Sequence, residues 1–128
     1  MRTAVPKPEE RLPLTPAVFH ILLALADKER HGYAIMQEVI SNSYGQIHMG
    51  PGTLYGTIKR TLAAEMIEES DERPDPELDD ERRRYYRLTD YGRRVLSAEV
   101  ERLAKLVHVA QAKQVMGESS SLIKLGVM

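Results

Sequence analysis

Apolar residues recur at helical spacing in the first half of the chain and predict three consecutive helices. Thr15 and Pro16 form the start of the first, because threonine caps a helix N-terminus and proline suits the first turn. A second helix is predicted after Gly32, ending at residues 42–45, which favour turn or left-handed backbone. A third begins at Pro51 after a short link. Two helices joined by a short turn, with a preceding helix as support, give a helix-turn-helix plan.

The third predicted helix, residues 51–65, has two contrasting faces. Leu54, Ile58 and Leu62 form an apolar stripe that must be buried. The opposite face carries only small or cationic residues before Glu65: Thr53, Gly56, Lys59, Arg60 and Ala63. Small residues let a helix approach a DNA groove, and Lys or Arg reach phosphates or guanine edges. The same face fits an ordinary solvated helix surface equally well, so both interpretations stay open on this helix alone.

A β-hairpin is predicted after the third helix. Met66 and Ile67 favour a strand, residues 70–81 form a long acidic loop, and the sequence RRRYYRLT then alternates as a second strand. In this alternation Tyr86 and Leu88 are expected to face the core. The other face is formed by Arg83, Tyr85 and Arg87. Two strands and a long loop after a helix-turn-helix make a β-hairpin wing.

A long last helix is predicted over residues 90–116, capped by Thr89 and ended by Gly117. About 26 helical residues extend ~39 Å, which is longer than a three-helix core can cover. The apolar stripe of this helix therefore needs a partner, and a second copy of the same helix is the simplest one. The stripe consists of Leu96, Val100, Leu103, Val107 and Ala110.

The distribution of charge changes the meaning of a net charge of −1. A near-neutral chain is a poor match for nucleic-acid phosphates, which need Lys and Arg. However, residues 65–81 contain ten acidic residues and one basic residue, which leaves nine acidic and seventeen basic residues elsewhere. Most of the protein is therefore expected to present a positive field to a partner.

Catalysis, metal binding and a cofactor are not expected. The chain has no cysteine, and its four histidines lack metal-ligand spacing: His20, His31, His48 and His108. Residues 50–52, Gly-Pro-Gly, match no phosphate-binding glycine loop. No apolar run approaches the ~20 residues that span a bilayer, and the N-terminus lacks the apolar region of a secretory signal. We expect a cytoplasmic protein without a membrane partner.

Three motifs in register resemble the PadR family of bacterial transcriptional regulators. They are HGYAI at residues 31–35, PGTLYGTIKRTLAAEMIE at residues 51–68 and RRRYYRLTDYGRR at residues 82–94. The resemblance implies a winged helix-turn-helix and a C-terminal helix that pairs two subunits. It further implies a repressor that binds a near-palindromic operator in double-stranded DNA as a homodimer, released in some members by a small-molecule effector. Carried onto the matching positions, it assigns DNA binding to Tyr33, Thr53, Tyr55, Lys59, Arg60, Arg83, Arg84 and Arg87.

The expected fold is thus mainly α with a small β-hairpin (α+β). Its parts are an N-terminal arm (residues 1–13), a winged helix-turn-helix domain (14–89), a dimerisation helix (90–116) and a tail (117–128). The chain departs from the resemblance at its wing, because family wings are commonly short and basic whereas this loop is long and acidic. The arginines after the loop could contact phosphate or pair with the loop's carboxylates. A second function therefore stays open: a winged-helix module that binds protein rather than specific DNA.

Overall fold

The computed structural model describes residues 5–70 and 83–115. Its helices and strands are α1 (Pro16–Ala24), β1 (Arg30–His31), α2 (Gly32–Asn42), α3 (Pro51–Ala63), β2 (Ile67–Ser70), β3 (Tyr85–Leu88) and α4 (Asp90–Ala112). Among these residues no helix is long and apolar enough to cross a membrane. The predicted acidic loop, residues 70–81, begins at Ser70, which instead ends β2; the rest of that loop and the tail lie outside the described residues.

The predicted helix starts are confirmed by their caps. The Thr15 side chain accepts a hydrogen bond from the Val18 amide, and the Thr89 side chain accepts one from Gly92. At the start of α2 it is His31 that caps, through a ring nitrogen that accepts from Ala34. Such caps satisfy amides that the first turn of a helix leaves without partners.

The sheet has three antiparallel strands in the order β1-β3-β2. The predicted hairpin of β2 and β3 is present, with Ile67 opposite Leu88 and Ser70 opposite Tyr85. The two-residue strand β1 was not predicted, because it is too short to show alternation. It makes β3 the central strand, and the prediction that Tyr85 faces away from the protein is wrong: Tyr85 is buried, with its ring against that of His31.

The core lies where α1 contacts α2, α3 and α4. Ile21, Leu22, Ile35, Val39 and Val95 are fully buried there, and Leu54, Ile58, Ile67, Tyr86 and Leu96 join the same cluster. The predicted inner stripe of α3 is therefore correct, although Leu62 is only half-buried. Thr57 and Thr61 fill the rest of that face.

Two predicted helix ends are wrong: α3 ends at Ala63 rather than at residue 65, and the end of α4 also differs. The last helix ends at Ala112 rather than at residue 116, because Gln114 adopts a left-handed φ of 60° and the Val115 amide bonds back to Ala110. The predicted N-terminal arm contains regular structure. Its Pro8–Arg11 forms a 3-10 helix that contacts α4, and the Leu14 amide donates to the buried carboxylate of Glu99.

Candidate nucleic-acid interface

The outer face of α3 is exposed as predicted. Thr53, Tyr55, Lys59 and Arg60 all lie in solvent, while Leu54 and Ile58 turn inward. The guanidinium of Arg60 donates to the Thr57 hydroxyl at 2.9 Å and so lies along its own helix. This face has the shape and charge that contact with a nucleic-acid groove needs.

A pocket of about 340 Å³ opens beside this face, between the start of α2 and β3. His31, Gly32 and Tyr33 form its α2 side, and Tyr55 contributes from α3. Arg83, Arg84 and Tyr86 form its third side. We call it the α2–β3 pocket. It brings together four of the eight residues assigned to DNA binding, from three separate parts of the sequence.

Gly32 is what allows Tyr55 to reach this pocket. A Cβ atom at residue 32 would lie 2.6 Å from the Tyr55 hydroxyl oxygen, so any larger residue would push the phenol away. The Tyr55 phenol therefore lies close to the backbone at the start of α2 and joins the two helices of the helix-turn-helix. Tyr55 is exposed and also lines the pocket, which the sequence alone did not indicate.

The wing arginines differ in how they are held. Arg84 donates to Glu69 at 3.0 Å, and Arg87 donates to Glu68 at 3.1 Å with Glu29 3.9 Å away. These carboxylates already neutralise part of the charge that phosphate would use.

Arg83 lies differently, with its guanidinium 3.2 Å from Nε2 of His31 at the mouth of the α2–β3 pocket. Nδ1 of that ring accepts from the Ala34 amide at 3.2 Å. The imidazole therefore joins the start of α2 to the guanidinium of Arg83.

The site includes residues that sequence reasoning missed. Tyr86 was assigned to the core and indeed is only 6% exposed, yet it also lines the pocket. Burial, assisted by the nearby Glu69 carboxylate, raises the pKa of its phenol above the ordinary value, so the hydroxyl stays protonated. Glu68 and Glu69 were counted only as part of an acidic segment. Their pairing with arginines depends on the register of β2 against β3, which no sequence pattern fixes.

The predicted dimerisation stripe divides into two parts. Leu96 is buried in the core of its own chain, so it is not available to a partner. Val100 and Leu103 are exposed, whereas Val107 and Ala110 are half-buried. Further exposed apolar residues, Leu106 and Val109, border a groove of about 420 Å³ between α4 and the 3-10 helix. The apolar surface of α4 thus continues beyond the chain's own core.

Among the described residues no group of three metal-binding side chains comes together. What the arrangement offers is a basic helix face, a pocket lined by hydrogen-bond donors and a β-wing, built on a helical core. This combination defines a winged helix-turn-helix protein.

The chain belongs to the PadR-like family of transcriptional regulators. The family's sequence profile, described as "Transcriptional regulator PadR-like family", matches residues 21–98. Transcriptional regulator Rv3488 of Mycobacterium tuberculosis is 37% identical over 101 residues, which is 79% of this chain and 83% of that protein. The family is one of regulators, and the protein is not an enzyme.

Solved structures share the fold. A PadR family transcription regulator from Clostridium difficile superposes with a TM-score of 0.62 at 22% identity, covering 78% of this chain and 99% of that one. RosR of H. salinarum gives a TM-score of 0.61 at 22% identity, covering 91% of this chain and 93% of that one. At these identities the likeness concerns the fold alone.

Proposed function

We propose that this protein is a sequence-specific repressor that binds a near-palindromic DNA operator as a homodimer in the cytoplasm. The observation that carries the proposal is the exposed face of α3. Lys59 and Arg60 lie on it beside Thr53 and Tyr55 without any exposed carboxylate on the helix. That face fits a major groove, in which a helix reads base edges while cations contact phosphates.

The homodimer is supported by α4. Val100, Leu103, Leu106 and Val109 leave apolar side chains in solvent on one long helix. Several exposed apolar side chains on one helix favour a protein interface there. A two-fold dimer through α4 would present two copies of α3 to one duplex, and such dimers read half-sites about one helical turn, ~34 Å, apart.

The test of DNA binding is the salt dependence of affinity for the DNA upstream of the protein's own gene. We expect the logarithm of the affinity to fall linearly with that of the salt concentration, with a slope of about −0.9 per phosphate contacted. The double variant Lys59→Ala/Arg60→Ala should bind more weakly with a shallower slope. Lys113→Ala removes a cation from the far end of α4 and is the matched control, which should bind as the wild type does.

A second candidate function is a winged-helix module that binds protein and no specific DNA. The observation that favours it is the pairing of Arg84 and Arg87 with carboxylates of β2, which is also what a wing without a DNA role would show. The same measurement separates the two functions. No binding to the upstream DNA at low salt would favour the module, whereas a footprint with two half-sites would refute it.

Release by a small-molecule effector is also part of the proposal. The effector mode in which tryptophans stack a flat ligand between dimer helices does not apply, because the chain has no Trp. The measurement that tests release is operator affinity in the presence of candidate aromatic compounds. A compound that acts through the dimer must weaken DNA binding and itself bind less tightly when DNA is present, since coupling between two ligands is reciprocal.

A further inference from the structure

We propose that Glu29 is a positioning residue, which fixes the wing formed by β2 and β3 relative to α3. Glu29 lies in the connection between α1 and β1, and its carboxylate contacts both strands of the wing. The inference deepens the proposed function and rests on it, because a wing and a DNA-reading helix act together only when both reach the same duplex.

The first argument is the carboxylate itself, which bridges the two strands. Its Oε2 accepts a hydrogen bond of 2.7 Å from the hydroxyl of Ser70, the last residue of β2. Its Oε1 lies 3.9 Å from the guanidinium of Arg87 in β3. A hydroxyl that donates to an ionised carboxylate at this distance makes one of the stronger hydrogen bonds in proteins. The Glu29 side chain is only 23% exposed, so salt screens these contacts less than it would on an open surface.

The second argument is that the connection that carries Glu29 is itself held to the helices. The next residue, Arg30, has a side chain that is only 13% exposed. Its guanidinium donates to the carbonyl oxygen of Ala24, the last residue of α1, at 2.8 Å. The same group lies 3.1 Å from the carboxylate of Asp27 and 3.4 Å from that of Glu38 in α2. Two consecutive side chains therefore join different parts of the protein, since Arg30 contacts the helices and Glu29 contacts the wing.

The third argument is the order of the strands in the sheet. Strand β1 has two residues, which pair with Tyr86 and Tyr85 of β3, and β2 lies on the other side of β3. A two-stranded hairpin is marginally stable by itself, so the contacts that join its strands to the core set its direction. The hydrogen bond between Glu29 and Ser70 joins β2 to the chain just before β1, across the width of the sheet. It therefore fixes the strand that lies farthest from β1.

A carboxylate beside Arg87 also lowers the positive charge of the wing, so the test must separate charge from position. Glu29→Gln removes the charge but keeps a side-chain oxygen that can accept from Ser70. Ser70→Ala keeps the charge and removes the hydrogen bond, whereas Glu29→Ala removes both. The matched control is Ser97→Ala, which removes an exposed hydroxyl from α4.

The first measurement is hydrogen exchange of the β2 amides in the full chain, without DNA. Glu29→Ala and Ser70→Ala should speed this exchange about tenfold, the factor expected when one hydrogen bond to a charged group is lost. Glu29→Gln should speed it less than either. The amides of Ile21 and Leu22, which are fully buried in α1, should exchange as they do in the wild type, so that the opening is confined to the wing.

The second measurement is affinity for the operator, located by footprinting upstream of the gene, at a temperature at which every variant is folded. Ser70→Ala should bind the operator severalfold more weakly than the wild type, because α3 and the wing no longer reach the duplex together. Glu29→Gln should bind it at least as tightly as the wild type does, since the hydrogen bond remains and a negative charge is lost. If Glu29 acted only through its charge, Ser70→Ala would bind as Ser97→Ala does.

The outcomes separate this inference from the proposed function. Wild-type operator affinity in Ser70→Ala overturns the positioning role even if exchange is faster, because Glu29 then only stabilises the fold. Unchanged exchange of the β2 amides in Glu29→Ala overturns it as well. If the wild-type protein binds no DNA at low salt, the proposed function fails, and the exchange measurement still decides whether Glu29 holds the wing.

Discussion

Gly92, in the first turn of α4, joins the wing to the long helix, and its replacement by alanine should destabilise the whole fold. A Cβ atom at this residue would lie 1.8 Å from the carbonyl oxygen of Met66 and 2.7 Å from its carbonyl carbon. That carbonyl is backbone and already accepts a hydrogen bond from the Thr89 amide at 3.1 Å. It cannot rotate aside as a side chain would. The two backbones must therefore separate by about 1.6 Å to reach ordinary contact near 3.4 Å.

Forcing extra atoms into a packed core costs about 1–3 kcal/mol, and a backbone neighbour places this case at the upper end. At roughly 4 °C per kcal/mol for a domain of this size, Gly92→Ala should lower Tm by about 12 °C. The assay is thermal unfolding at a fixed protein concentration, because association would shift Tm with concentration. Gly52→Ala is the matched control: it also lies in a first helical turn, and nothing lies within 4 Å of its Cβ position. A Tm of Gly92→Ala within 2 °C of the wild type would refute the reasoning.

Three further predictions concern charge and association. Glu68→Gln removes the nearer of the two carboxylates beside Arg87, so affinity for random DNA at low salt should rise severalfold and the salt slope should steepen by about 0.9; unchanged values contradict this. A hydrogen bond from Arg102, and a further one from the Leu14 amide, lowers the pKa of the Glu99 carboxyl in the folded protein. The stability that the ionised carboxylate contributes is therefore complete above its unfolded pKa of about 4.5 and is lost as the pH falls through the lower pKa of the folded state. Glu99→Gln should therefore lose stability at pH 7 in urea unfolding but vary less than the wild type between pH 7 and pH 4. Leu103→Asp should give the monomer mass in sedimentation, whereas Ser97→Asp, exposed on the same helix, should not.

Features that depend on local sequence were predictable. Thr15 and Thr89 cap helices where their spacing from the apolar stripes indicated, and the exposed and buried faces of α3 follow from a period of 3.6 residues. The end of α4 was not predictable. We expected Gly117 to end the helix, but Gln114 adopts the positive φ that ends it, and such a φ is uncommon for a residue other than glycine.

Features that depend on which strand lies beside which were not predictable. Strand β1 has only two residues, and its pairing of His31 with Tyr85 is what buries a tyrosine that alternation placed outside. The α2–β3 pocket has the same origin. Gly32, Tyr55 and Tyr86 are separated by 23 and 31 residues in the chain, and their proximity is set by the packing of three elements. The motifs that carry these residues indicated a family, but not that they share one cavity.

The pairing of the wing arginines changes how DNA recognition should be divided within the protein. A phosphate that approaches Arg84 or Arg87 competes with a carboxylate of Glu69 or Glu68 for the same charge, so each contact gains less than one to an unpaired arginine. Phosphate contacts supply nearly all of the affinity for random DNA, whereas base contacts distinguish the operator. The carboxylates of β2 that pair with the wing arginines should therefore lower the affinity for random DNA more than they lower the contribution of α3 to operator affinity. We expect a higher ratio of operator to random-DNA affinity in the wild type than in Glu68→Gln, and an equal ratio in both would show that the wing carboxylates have no part in specificity.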